Sequence, residues 1–175
     1  MKNKYETAFY NSYISIHQRN IERFISSYVK TNDDALDLIQ NTLESAWKNM
    51  HQLKDQERAK SWLFSIAYHE IIKYYRKKKV EFSLFVDIPD DNDIENIEDK
   101  SNDFVELFNK KEDYRRLHSA IKKLDEKNKH LICLRYVEEL SIKEIAEILE
   151  MNYNSTRVYV SRAKQVLKEV YLSIE

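Results

Sequence analysis

The chain carries no glycine at any of its 175 positions and a single proline, Pro89. Tight hairpins draw on glycine for positive φ and on proline for pre-set reversals, so a sheet of short strands would have almost nothing to turn with. Leu, Ile, Glu and Lys fill the chain instead, and the expectation is an all-α protein. Any sharp corner between helices must then push a residue bearing a Cβ into the left-handed region, at a cost of about 1–2 kcal/mol.

The charge pattern divides the chain. Its sum is only −1, but the basic run KYYRKKK (73–79) and the cations from Arg157 to Lys168 flank an acidic stretch, DIPDDNDIENIEDKSND (87–103). Two helical blocks lie either side of that stretch. The expected architecture is therefore two small helical domains, 1–80 and 112–175, joined by an acidic linker, 81–111. Phe82, Phe85, Phe104 and Phe108 make that linker less bland than a pure spacer.

In the first block, residues 5–29 read as helix with Ile21, Phe24, Ile25 and Tyr28 on one side. Ala35, Leu38, Ile39, Thr42, Leu43, Ala46, Trp47 and Met50 then follow i, i+3, i+4 spacing, with Asn32, Asp33 and Asp34 as the expected N-terminal cap. Residues 51–61 are polar and aperiodic, hence a loop. A third helix is expected from Trp62, with Trp62, Leu63, Ile66 and Ala67 facing inward. Both tryptophans are expected in the core, while Tyr68, Tyr74 and Tyr75 are open to two readings, surface packing, which is favoured, and stacking on bases.

In the second block, Leu117, Ile121 and Leu124 mark one helix, and Asp125 caps another carrying Leu131, Ile132, Leu134 and Val137 inward. Ser141 and Glu144 form a capping box, opening a helix with Ile142, Ile145, Ala146 and Leu149 inside. Asn152 caps the last helix, whose inner face is Thr156, Val160, Ala163 and Leu167. Glu150 is the expected positive-φ residue of the corner, with Asn152 able to share the bend. This leaves Asn154, Ser155, Arg157, Val158, Ser161, Arg162 and Lys164 outward, a set suited to phosphates and base edges in a major groove. An ordinary helical hairpin with a solvated face has the same spacing, so the corner alone leaves both readings open.

Several classes drop out. The lone Cys133, in LICLRY, forms no internal disulfide and is expected to be a buried, inert thiol. The five histidines (17, 51, 69, 118 and 130) show no ligand spacing, so no metal or cofactor is expected. No acid/base constellation or phosphate cradle suggests an enzyme or a small-molecule substrate. The N-terminus has no apolar core like that of a signal peptide, and no apolar run is long enough to span a membrane. Direct membrane insertion is not expected, and the expected location is cytoplasmic.

LDEKNKHLICLRYVEELSIKEIAEILEMNYNSTRVYVSRAKQVLKE (124–169) resembles region 4 of the extracytoplasmic-function type of RNA polymerase sigma factor. DDALDLIQNTLESAWKNM (33–50) and RAKSWLFSIAYHEIIKYYRKKK (58–79) resemble region 2 of the same family. One helix-turn-helix is a weak signal; both regions, in this order, cover most of the chain. The resemblance implies a non-enzymatic protein that binds core RNA polymerase, at its clamp helices and flap, and reads a promoter. It places polymerase contacts on Asp34, Asp37, Leu38, Gln40, Asn41 and Glu44. It places −10 contacts on Lys54, Asp55, Gln56, Arg58, Lys60, Ser61 and His69, where a flipped base would be held. Lys73, Arg76 and Lys77 continue that surface along the basic run. By the same resemblance Arg157, Val158, Ser161 and Arg162 face −35 bases, Ser155 and Lys164 meet phosphates, and an anti-sigma factor is a further partner.

The departures from the family pattern fall mainly at turns. Asp125 stands where the family has proline, and Glu139 and Glu150 stand where it has glycine. His69 replaces an asparagine, Lys73 an aspartate, and Val158 a residue that is commonly polar. The rival reading is a stand-alone helix-turn-helix regulator whose N-terminal half senses a ligand or dimerises. Such a protein has no reason to carry the region 2 pattern.

Overall fold

A computed structural model describes residues 2–78 and 111–174, with side chains from 4 and from 115 onward in the two stretches. Within them the chain is helical, with no strand. It divides into an N-terminal unit built on four helices and a C-terminal unit that begins with the fifth. The four linker phenylalanines and the acidic run 87–103 lie outside the described residues.

The N-terminal unit comprises α1 (Lys2–Tyr13), α2 (Gln18–Ser26), α3 (Asn32–Asn49) and α4 (Ala59–Lys77). Helices α2, α3 and α4 pack on one another around Ile21, Phe24, Ile25, Tyr28, Ala35, Leu38, Leu63, Phe64 and Ile71, all buried. Phe24 meets Phe64 edge to face, with centroids 4.9 Å apart. Thr42 is buried in this apolar setting because its hydroxyl donates to the Leu38 carbonyl (2.7 Å), which removes the cost of an unpaired polar atom. The inward residues of α2 are the ones the sequence pattern selects.

Four local expectations are corrected here. The cap of α3 is Thr31, whose oxygen accepts from the Asp34 amide (3.2 Å), so Asn32, Asp33 and Asp34 form the first turn instead of preceding it. Helix α4 begins at Ala59, not Trp62. Asp55 Oδ1 accepts from the Glu57 amide (3.0 Å), closing residues 56–58 as a 3-10 turn that runs straight into the helix. The tryptophans are not core. Trp62 is half-buried, and Trp47 is 37% exposed and packs edge-on against Tyr10 at 5.2 Å. Tyr68, by contrast, is buried, and that burial pushes its phenol up to about 12.

The C-terminal unit comprises α5 (Lys111–Lys123), α6 (Glu126–Ile132), a π turn (Cys133–Val137), α7 (Ile142–Leu149) and α8 (Tyr153–Leu172). Asp125 caps α6, accepting from the Asn128 amide at 2.9 Å. Helix α8 packs against α5 and α6. Arg116 reinforces this contact: its Nε donates to the Tyr171 carbonyl (3.1 Å) and its guanidinium lies 4.8 Å from that ring's centre. The core holds Leu124, Leu131, Ile132, Leu134, Ile145, Val160, Ala163 and Leu167. In the π turn the Glu138 amide reaches back five residues to the Cys133 carbonyl (2.9 Å). The extra residue rotates the following side chains, so Val137 is 49% exposed instead of inward. Cys133 is half-buried, where full burial was expected.

Candidate nucleic-acid interface

The corner before α8 is made without glycine by a closed set of hydrogen bonds. Ser141 Oγ accepts from the Glu144 amide (3.2 Å), and the Ser141 amide donates back to Glu144 Oε2 (2.8 Å), the reciprocal pair that fixes the start of α7. At its other end Glu150 adopts φ 55°, and the Met151 amide closes on the Ala146 carbonyl (2.9 Å) in a Schellman arrangement. Glu139 adopts φ 56° after the π turn, again where a glycine would be unstrained. Asn152 does not share the bend. Its φ is −72°, and its Oδ1 caps α8 by accepting from the Ser155 amide (2.8 Å).

Cap and corner together orient α8. Thr156, Val160, Ala163 and Leu167 are buried as expected, joined by Tyr159 and Tyr171. On the other side Asn154 and Arg162 are exposed, and Ser155, Arg157, Val158, Ser161 and Lys164 are half-exposed. Among the described residues neither Arg157 nor Arg162 is held in an ion pair. The sequence pattern missed two neighbours. Tyr153, at the first position of α8, is 52% exposed. Lys127, on α6, lies 3.9 Å from the centre of the Tyr159 ring. Burial holds its ammonium below the ordinary lysine range; the Arg162 guanidinium pushes the same way, against Asp125. Lys127, half-buried over that ring, thus feels the positive charge of Arg162, an arrangement suited to a polyanion. A lone lysine on another helix leaves no periodic trace in α8, which is why sequence spacing does not find it.

In the N-terminal unit, Lys54, Asp55, Gln56 and Arg58 are exposed and Lys60 is half-buried. Ser61 is a correction: it is buried, its hydroxyl donating to the Arg58 carbonyl (3.2 Å), so it shapes the loop from within. His69, Lys73, Arg76 and Lys77 are exposed at helical spacing on α4. His69 Nδ1 lies 2.7 Å from the Ser65 carbonyl and donates to it, which orients the ring on α4. Lys73 pairs with Glu70 at 2.7 Å.

On α3, Asp37, Gln40, Asn41 and Glu44 form one exposed face. Glu44 pairs with Lys48 (2.6 Å), which holds its carboxyl below the usual range. Leu38 is the second correction, because it is buried in the unit's own core. The exposed leucine of this helix is Leu36, at 56%. Asp34 is half-buried and bound to Thr31 and Lys78. Among the described residues no group of three His, Cys, Asp or Glu side chains is placed to hold a metal ion. No helix there is long and apolar enough to cross a membrane.

Comparison with known proteins fits both halves. The Sigma-70 region 2 family matches residues 13–81, and the Sigma-70 region 4 family matches residues 114–167. The RNA polymerase sigma factor SigV of Bacillus subtilis (strain 168) is 32% identical over 169 residues, 96% of this chain and 95% of that one. The ECF sigma factor SigM of the same organism is 27% identical over 156 residues, 89% of this chain and 91% of its own length. The fold is shared with the sigma factor RpoE of Bartonella quintana, solved in complex with the anti-sigma factor NepR. There the TM-score is 0.62 at 20% identity, covering 95% of this chain and 98% of that one. With both sigma regions matched and a relative of this identity aligned end to end, the chain belongs to the extracytoplasmic-function sigma factors of RNA polymerase, within the sigma-70 family.

Proposed function

We propose that this sigma factor binds core RNA polymerase through the exposed face of α3 and brings two reading surfaces to promoter DNA. The outward side of α8 reads the −35 element, with Arg157 and Arg162 facing base edges and Ser155, Lys164 and Lys127 meeting phosphates. The 54–60 loop and the His69, Lys73, Arg76, Lys77 face of α4 take the −10 element. The chain carries out no bond chemistry; it supplies specificity to the polymerase, from the cytoplasm. An anti-sigma factor is a further partner, supported by the solved relative that is bound to one.

The single observation that carries this reading is the exposed, cation-bearing side of α8, presented by a complete capping box and Schellman corner. Run-off transcription with purified core polymerase and a pool of genomic promoters tests it. Discrete start sites that depend on the added protein are the expected result. Tight binding to isolated promoter DNA with no initiation would favour the stand-alone regulator instead.

A further inference from the structure

The corrected position of Trp47 opens a question that the α3 and α4 surfaces do not answer. The indole lines a cavity of about 510 Å³ with Tyr5, Glu6, Phe9, Lys48, Met50, His51 and Leu53. That volume falls in the range of sites that take a small planar group. Its walls are aromatic, from α1 and the end of α3, and Met50 and Leu53 add apolar surface. Tyr10, edge-on to Trp47 at 5.2 Å, and Tyr13, 5.0 Å from Phe9, support two of the rings from outside the cavity. Trp47 at 37% and Tyr5 at 77% exposure leave large aromatic surface uncovered in the protein alone.

We propose that this cavity holds one unstacked nucleobase of the single strand exposed when the −10 element opens, as a second base site beside the 54–60 loop. The inference rests on the −10 reading given above. Three features select this occupant. Aromatic walls stack any base through its π-face, and each base so held contributes enough to be felt in strand affinity. Lys48 and His51 place nitrogen donors among the lining residues, where the phosphates flanking a base would pass, and Glu6 supplies an acceptor for the exocyclic amine of adenine, cytosine or guanine. Leu53 is in the lining and Lys54, the next residue, begins the loop, so one strand can follow the surface from loop to cavity. An aliphatic peptide side chain would use the apolar walls but neither the donors nor the acid.

The test uses the full chain assembled with core polymerase. The probe is single-stranded non-template DNA from a promoter found by the run-off assay, with 2-aminopurine moved along it one position at a time. One position outside the base held by the loop is expected to show fluorescence quenching that Trp47→Leu relieves. The same substitution is expected to weaken strand binding by about 5- to 150-fold, while Trp47→Phe, which keeps a ring, largely restores it. Tyr5→Leu is the second variant; because Tyr5 is so exposed, its loss does not endanger folding, and it is expected to act in the same direction. Unchanged strand affinity in both variants, with the parent binding normally, overturns the cavity assignment alone. A loss that appears instead in affinity for core polymerase or for an anti-sigma factor also overturns it, by giving the cavity to a protein. If the parent itself binds no single strand in the holoenzyme, the −10 reading has failed and this inference falls with it.

Discussion

Lys78 hydrogen-bonds both carboxylate oxygens of Asp34, at 3.1 and 3.2 Å, tying the end of α4 to the first turn of α3. Asp34 is also held by the Thr31 hydroxyl (2.5 Å), and it is this bond first, then those from Tyr74 and Lys78, that lowers its pKa. A carboxylate whose pKa is depressed by folding adds stability that is present above its unfolded value, near about 4, and lost as pH falls through the lower folded value. Thr31→Val is therefore expected to move the Asp34 titration upward and to narrow its share of the acid-unfolding transition. Carboxyl carbon chemical shifts followed from about pH 6 to about pH 2 measure this directly. An unmoved midpoint would show that the hydroxyl does not govern it.

The glutamates at positive φ give a stability prediction. Replacing Glu150 or Glu139 by glycine relieves about 1–2 kcal/mol of left-handed strain, partly offset by the greater freedom of glycine in the unfolded chain. Each substitution is expected to stabilise the C-terminal unit by up to about 1 kcal/mol, and to raise its Tm by about 4–8 °C at that upper value. Glu150→Ala, which retains a Cβ, is expected to give no such rise in thermal denaturation.

Arg162 and Lys127 are expected to fail in different ways. Arg162→Ala should cost about 1–3 kcal/mol of discrimination at one −35 position, read by competition binding against single-base variants of the site. Lys127→Gln should weaken all sequences alike and reduce the slope of log K against log salt by about 0.9. A sequence-dependent effect of Lys127, or a purely salt-dependent one of Arg162, would reverse the two assignments.

On α3, Asp37→Ala and Gln40→Ala are expected to weaken binding to core polymerase with little change in Tm, because both side chains are exposed. Leu38→Ala should do the opposite, costing about 2–5 kcal/mol of folding stability through the cavity it leaves. Polymerase affinity and thermal melts on the same three proteins separate the cases.

Periodicity and capping chemistry reported the helices well because both are local. Ser141 with Glu144, Asp125, Asn152 and the strained Glu150 all act over a few residues, and all stand where the sequence puts them. The inner face of α8 was readable for the same reason. What failed depended on contacts between elements or on a change of helical period. Trp47 has the right spacing for the core, but it is 37% exposed, with Tyr10 edge-on against it. Ser61 matched a family position that suggested surface, yet packing places it inside; for Leu38 the apolar spacing foretold burial and the family match did not. Val137 left the core because a π turn, invisible to a 3.6-residue pattern, intervened. Lys127 was missed because its relation to α8 is purely spatial.

The π turn has one further consequence. Cys133–Val137 contains one residue more than an ordinary helical turn needs to cover the same rise. That surplus is slack in the chain: deleting a single residue there lets the segment wind as plain α-helix, and the entry to α7 can stay where it is. The same deletion within α8 would rotate every groove-facing side chain by about 100°. Length variation in this protein is thus tolerable at the wide turn and ruinous twenty residues later.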